Sequence, residues 1–202
     1  MLMREWKTLF NTNQVLLYEG YTYQEKPCGS GKVYFPDGTV YQEGVFGIKG
    51  LLLGREYYEN GNLRFEGFLR IHFAYGPNPP VFGRFCDPEG NELFFGKFSI
   101  RSGGVGYPMV VIPEEYASMR VQSHPKCSWL IWEDMDRELI EKMRDNLNRI
   151  KKPKTSSQLT RMIDEIIQKD DMIIPGIRKS TVKAIIGIVF ASSSRHPQSR
   201  IP

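Results

Sequence analysis

Few of the residues that build catalytic or metal sites occur in this 202-residue chain, which has three cysteines and three histidines. The cysteines lie at unrelated spacings and form no CxxC pair, which excludes a disulfide framework and favours a reducing compartment. No apolar run approaches the roughly 20 residues of a transmembrane helix, and the N-terminus lacks the apolar core of a signal peptide. These absences predict a soluble, cytoplasmic protein without a transmembrane segment.

Three short motifs look like functional sites, but each has a simpler interpretation. Gly29–Lys32 lacks the earlier glycine and the following helix of a phosphate loop, so a hairpin turn is expected there. His124 and Cys127 have a ligand-like spacing, but a structural zinc site normally needs four ligands. The acids between Glu133 and Glu138 suit the first turn of a helix. No catalytic, metal-binding or cofactor-binding residue is therefore assigned, no cofactor is expected, and a non-enzymatic role is favoured while an enzymatic one stays open.

The clearest pattern is a repeat that runs from Leu16 to Gly96. Each copy has an aromatic-rich run, a turn with glycine, a second aromatic-rich run and a closing glycine, with a period of roughly 23 residues. The dipeptides Asp37-Gly38 and Asn60-Gly61 predict two-residue type I′ hairpin turns. The pattern predicts an elongated antiparallel sheet of stacked hairpins with aromatic side chains between the units. The residues that define the repeat are Tyr18, Gly20, Gly38, Tyr41, Gly44, Gly61, Phe65, Gly67, Gly90, Phe94 and Gly96.

The segments YEG at Tyr18–Gly20, DGTVYQEG at Asp37–Gly44 and NGNLRFEG at Asn60–Gly67 resemble MORN repeats, whose core is a Tyr-x-Gly motif, and the MORN-like variant of bacterial proteins. A fourth copy ends in Phe94-Phe95-Gly96, after a Pro-rich insertion at Tyr75–Pro80. The resemblance covers somewhat under half of the chain and does not extend to the C-terminal region. It implies an interaction scaffold or a membrane-associated protein.

After Ser128 the apolar residues recur at three- and four-residue steps, which indicates helices. One helix is expected to end before Pro153, a second to begin at a Ser156 or Ser157 cap, and a third to span about Lys179–Ser192. A strand within Phe98–Ile112 is expected to close the sheet. The predicted fold is thus α+β, with an elongated sheet of MORN-like hairpins and a small C-terminal domain of about three helices. The expected divisions are a β-repeat domain at residues 1–112, a linker at 113–127, a helical domain at 128–193 and a flexible tail at 194–202.

The formal charge of +4 is concentrated in the C-terminal part of the chain. There, Ile174–Ile186 resembles the hairpin of the helix-hairpin-helix motif, in which a Pro-Gly turn offers backbone N–H groups to a DNA phosphate. The resemblance implies phosphate or nucleic-acid contacts by Gly176, Arg178, Lys179 and Lys183. A structural helix pair with solvated bases is the alternative.

Three functions follow as hypotheses. The first is a non-enzymatic scaffold that binds an unknown protein partner. The second is a nucleic-acid-associated protein that uses the basic C-terminal segment, and the third is a protein that binds anionic lipid at a membrane surface through the repeat sheet. An aromatic sheet face left uncovered by the helices would mark a binding surface.

Overall fold

The structure, a computed structural model, describes the chain in eight parts: residues 3–47, 50–71, 78–102, 108–111, 137–169, 173, 178–183 and 188–190. The fold is α+β: eight strands form an antiparallel open sheet in which each pairs with the next along the chain, and two short strands from the C-terminal part extend it to ten at one edge. The eight antiparallel strands are β1 (Met3–Asn11), β2 (Leu16–Tyr23), β3 (Lys26–Tyr34), β4 (Val40–Gly47), β5 (Gly50–Tyr57), β6 (Leu63–Leu69), β7 (Pro80–Cys86) and β8 (Glu92–Lys97).

Three of the hairpin connections share one geometry, which differs from the expected type I′ turn. In Phe35–Thr39, Tyr58–Asn62 and Asp87–Asn91, the first N–H donates to the fifth carbonyl, at 2.8, 2.9 and 3.0 Å. Positive φ occurs only at the fourth residue of each, namely Gly38 (88°), Gly61 (82°) and Gly90 (93°). These are three-residue loops with a type I turn followed by a left-handed glycine. Pro36 and Pro88 favour this geometry, because proline holds φ near −65° and so suits the second position of a type I turn.

A two-residue turn with positive φ at both central positions occurs elsewhere, at Gln24 (49°) and Glu25 (63°). It joins β2 to β3 and leaves Tyr23 paired with Lys26. The turn expected at Gly29–Lys32 is wrong, because these residues lie inside β3. Glycines in a short segment usually indicate a turn. Here Gly31 instead faces glycines of both neighbouring strands, where a side chain would not fit.

Seven glycines form a continuous row across the sheet, one on each strand from β2 to β8, and each faces the next in the strand register. We call this set the glycine row: Gly20, Gly31, Gly44, Gly54, Gly67, Gly83 and Gly96. At six of the seven positions a side chain cannot be added without a clash, and a Cβ on Gly54 would lie 2.1 Å from the Glu43 carbonyl oxygen. A Cβ on Gly31 would lie 2.3 Å from the Tyr18 hydroxyl oxygen. The row therefore lets aromatic side chains lie flat over the backbone.

Two helices follow, α1 (Arg137–Arg149) and α2 (Ser156–Lys169). Helix α1 ends before Pro153, as the sequence predicts. The cap of α2 is Thr155 rather than Ser156 or Ser157, because the N–H of Gln158 donates to Thr155 Oγ1 at 3.3 Å. The Gln158 side chain accepts from the N–H of Lys154 in return, at 3.0 Å. This reciprocal arrangement resembles a capping box, which the sequence Thr-x-x-Gln could have indicated.

The two faces of the sheet have separate cores. On the helix side, Val45, Leu53, Phe68 and Phe82 pack with apolar residues of both helices. The helix residues buried there are Leu139, Ile140, Met143, Leu147, Leu159, Ile163 and Ile166. The opposite face of the sheet carries the glycine row, and we call it the glycine side. A second cluster lies there and consists of Leu9, Tyr18, Val33, Phe35, Tyr41, Phe46, Leu51, Phe65, Leu69, Phe85 and Phe98. The helices thus pack directly on the sheet instead of forming a core of their own.

Three helices were expected, and two are found among the described residues. In the range of the third, Arg178–Lys183 (β11) and Ile188–Phe190 (β12) are strands that pair with β1 in parallel. The segment is rich in valine, isoleucine and threonine, whose branched Cβ favours extended structure. The strand expected to close the sheet is also wrong, since β9 (Ser99–Ser102) and β10 (Pro108–Val111) pair with each other in a separate two-stranded sheet. Residues 112–136, with the predicted linker, lie outside the described residues.

Candidate functional site

The residues that define the repeat occupy two kinds of structural position. Tyr18, Tyr41 and Phe65 are buried in the glycine-side cluster, where Tyr41 packs on Phe35 at 4.9 Å between ring centroids. The half-buried Phe94 packs against Phe98, with ring centroids 5.0 Å apart. The glycines lie either at the left-handed loop positions or in the glycine row. Since Tyr18, Tyr41 and Phe65 are buried, these three aromatics do not form an exposed binding surface.

The residues proposed for nucleic-acid contact are not brought into a helical hairpin. Arg178, Lys179 and Lys183 lie on β11, in register with Met3, Arg4 and Trp6 of β1. Gly176 lies outside the described residues. The phosphate-binding turn that the helix-hairpin-helix resemblance implies is therefore not among the described elements, and the contacts of these residues stay predictions.

A buried ion network lies where α2 crosses the sheet. Glu66 is fully buried, and its carboxylate lies 2.7 Å from Arg55 Nε and 2.8 Å from Arg84 Nε. From α2, the Thr160 hydroxyl donates to Glu66 at 2.8 Å, and Asp164 accepts from Arg55 at 2.7 Å. Burial alone would lower the pKa of Arg55, but its hydrogen bonds to Asp164 and Glu66 outweigh this effect and raise it. Every charge in this network has a counter-charge, so its role is to fix α2 on the sheet.

A cavity of about 300 Å³ lies between the end of β6 and α1. Phe68, Leu69, Ile71, Val81 and Leu147 give it an apolar wall, and Asn148 adds a polar group. Its charged lining residues are Arg70, Arg144 and Lys152. We call this cavity the basic pocket.

The three cations of the basic pocket come from different parts of the chain. Arg70 follows β6, Arg144 is on α1, and Lys152 precedes Pro153. No carboxylate belongs to the described lining, and none of the three cations forms an ion pair with an acid of the described ranges. Three positive charges that line one cavity repel each other, so the binding of an anion there is electrostatically favourable.

Lys152 has the most unusual surroundings of the three cations. Its Nζ lies 3.3 Å from the centroid of the Phe68 ring and 3.4 Å from the Leu147 carbonyl oxygen. Burial lowers the pKa of this amine to about 8. Near neutral pH, Lys152 is therefore a cation whose charge is only partly satisfied by the aromatic ring and one carbonyl.

No local sequence pattern indicates the basic pocket. Arg70 and Lys152 flank a strand end and a helix end, and neither belongs to a motif. The one sequence signal for a pocket residue is Lys-Lys-Pro after α1, and such a pair of lysines normally indicates an exposed, solvated surface. The pocket exists only because α1 docks beside β6, and that docking cannot be obtained from local patterns.

No protein family model, curated protein or solved structure matches this chain. Neither α1 nor α2 is long and apolar enough to span a membrane. Within the described ranges, no group of three His, Cys, Asp or Glu side chains is arranged to hold a metal ion. His124 and Cys127 lie outside those ranges.

Proposed function

We propose that the protein is a non-enzymatic binding protein that holds a small organic anion in the basic pocket. The observation that carries the proposal is the convergence of Arg70, Arg144 and Lys152 on one cavity without an acid in its described lining. Phosphate and carboxylate groups match such cations through charge-assisted hydrogen bonds. The apolar wall suits a ligand that carries a hydrocarbon or aromatic part beside the anionic group.

The MORN-like sheet has a supporting role in this proposal. Its aromatics are buried and its glycine row brings neighbouring strands close together, so it forms a stiff platform on which α1 and α2 dock. The resemblance to MORN repeats and the scaffold role that it implies stay part of the proposal, with the basic pocket as the contact point. Nucleic-acid binding by Arg178–Lys183 and lipid binding by the sheet are not favoured by any described contact.

The proposal is tested by titrating the full chain with phenyl phosphate and with benzyl alcohol as the uncharged control. We expect saturable binding of phenyl phosphate only, weakened by added NaCl because salt screens the cations. Arg144→Gln is expected to weaken the binding about 10- to 100-fold, since a hydrogen bond between charged groups contributes about 1.5–3 kcal/mol.

Arg161→Gln is the matched control, because Arg161 is an exposed arginine of the neighbouring helix α2 and does not line the pocket. Equal effects of the two substitutions, or equal binding of phenyl phosphate and benzyl alcohol, would contradict a site built from the pocket cations.

A further inference from the structure

Lys152 differs from an ordinary anion-binding lysine in what it touches. Its Nζ lies 3.3 Å from the centroid of the Phe68 ring and donates to the Leu147 carbonyl oxygen at 3.4 Å, and the residue lines a cavity of about 300 Å³. The neighbouring Lys151 is exposed. A lysine that lines a cavity, lacks a carboxylate partner among the described residues and borders an apolar wall has the surroundings of a nucleophile.

We propose that Lys152 forms a reversible imine with an anionic aldehyde or α-keto acid whose phosphate or carboxylate is held by Arg70 and Arg144. This inference rests on the proposed function, because the two guanidinium groups must first bind the anion. It adds that the bound molecule carries a carbonyl group and that the complex becomes covalent.

The reaction needs no further reactant. The lone pair of the neutral Nζ attacks the carbonyl carbon, the C=O π electrons move to oxygen, and a proton passes from nitrogen to that oxygen to give a carbinolamine. Loss of the hydroxyl group as water then forms the C=N bond. Nothing is oxidised or reduced, and water is the only product besides the imine.

The surroundings favour the nucleophilic form of the amine. The charged side chains that share the cavity are Arg70, from the end of β6, and Arg144, from α1, and both carry the same sign as a lysine ammonium. Burial lowers the pKa of Lys152 to about 8. A much larger share of this amine is therefore neutral at pH 7.5 than of a solvated lysine, whose pKa is about 10.4.

Pyridoxal 5′-phosphate is a suitable probe, since it has an aldehyde, a phosphate and an aromatic ring. Pyridoxine 5′-phosphate is its alcohol counterpart, which can bind as an anion but cannot form an imine. The full chain is incubated with limiting aldehyde, treated with borohydride to reduce the imine to a stable amine, and digested for mass spectrometry. We expect Lys152 to be labelled at least tenfold more than Lys151, and pyridoxine 5′-phosphate to compete with the labelling.

Two variants keep the test independent of folding effects. Lys152→Arg retains the cation and should still bind pyridoxine 5′-phosphate while the imine absorbance is lost, whereas Lys151→Arg should retain both. If both phosphates bind but label is spread evenly over the lysines, the imine is excluded and the proposed anion site survives. If neither compound binds, both proposals are overturned.

Discussion

At the scale of single residues, Lys152 is a position where stability and binding oppose each other. Its ammonium is half-buried, shares a cavity with two arginines and has no carboxylate partner in the described part of the chain. The Phe68 ring offsets part of this cost through a cation–π contact. Groups that lower stability without a structural reason are typical of binding sites, because a ligand supplies the missing partner.

Lys152→Met is expected to raise the free energy of unfolding by about 1 kcal/mol at pH 7, because it removes an unpaired half-buried charge and keeps the apolar stem. The folded pKa of about 8 lies below the ordinary lysine pKa of 10.5, so the unfolded state binds more protons between these values. Stability of the parent protein therefore rises through this window, and the advantage of the variant should disappear by pH 10.5. Urea denaturation at pH 7 and at higher pH measures both effects.

Lys151→Met is the control for this substitution, because Lys151 is the adjacent exposed lysine. Its effect should stay within about 0.5 kcal/mol at either pH. A destabilised Lys152→Met protein at pH 7 would show that the Phe68 and Leu147 contacts outweigh the burial of the charge.

The turn at Gln24 and Glu25 shows why some residues could not be located from local pattern. Both residues have positive φ, a region that usually selects glycine or asparagine. The Glu25 carboxylate forms an ion pair with Lys7 of β1, so a tertiary contact supports the strained turn. Turn prediction uses only the preferences of local residues, and it therefore placed the turn at the nearby glycines of Gly29–Lys32.

At the scale of elements, α2 is held by two different interactions. Its apolar stripe of Leu159, Ile163 and Ile166 packs on the sheet, and its polar residues Thr160 and Asp164 join the network of Glu66. Apolar contacts tolerate a shift of the helix along its own axis, whereas charge-assisted hydrogen bonds require fixed distances and directions. The ion network therefore fixes the position of α2 along its axis relative to the sheet, which we call the register of α2.

Glu66→Gln is expected to lower the free energy of unfolding by about 3 kcal/mol, because it leaves the half-buried Arg55 and Arg84 beside each other without the shared, fully buried carboxylate. Hydrogen exchange of the α2 amides should rise more than that of β4, since α2 loses its register contacts. Thermal or urea unfolding gives the first quantity, and exchange measured by mass spectrometry gives the second.

Glu138→Gln serves as the comparison, because Glu138 forms an exposed ion pair with Lys142 one turn further along α1. Its loss should cost less than about 0.5 kcal/mol. If both substitutions had the same small effect, the buried network would contribute no more than a surface pair, and apolar packing alone would hold α2.

Helices α1 and α2 could be predicted because their apolar residues recur at helical spacing and their other faces are polar. The third predicted helix had apolar residues at the same spacing, but its β-branched residues suit a strand equally well, and pairing with β1 decides between the two. Strands β3 and β5 were predicted only as the first arms of the hairpins at Asp37-Gly38 and Asn60-Gly61, without their starting residues, for another reason. Their glycines and charged residues interrupt the alternation by which strands are recognised.

At the scale of the whole molecule, the glycine row relates the sequence period to the sheet. One repeat of roughly 23 residues corresponds to two strands and their turns, so the closing glycines mark only every second strand. The glycines between them, Gly31, Gly54 and Gly83, follow no aromatic-Glu pair and were not recognised in the sequence. Their role depends on register, and register is a property of paired strands rather than of one segment.

Gly54→Ala and Gly61→Ala separate the two roles of glycine in this sheet. Both positions have positive φ, at 152° and 82°. At Gly61 nothing lies within 4 Å of an added Cβ, so only the backbone preference is lost, which costs about 1 kcal/mol. At Gly54 the Cβ would lie 2.1 Å from the Glu43 carbonyl oxygen and 2.7 Å from Gly44 Cα.

Neither of these backbone neighbours can move without breaking the ladder between β4 and β5, so Gly54→Ala should cost at least about 3 kcal/mol or prevent folding. Urea denaturation followed by circular dichroism compares the two variants. Similar small losses at both positions would mean that β4 and β5 can separate to admit a side chain. The row would then reflect only backbone conformation, and the stiffness of the platform that supports the basic pocket would need another source.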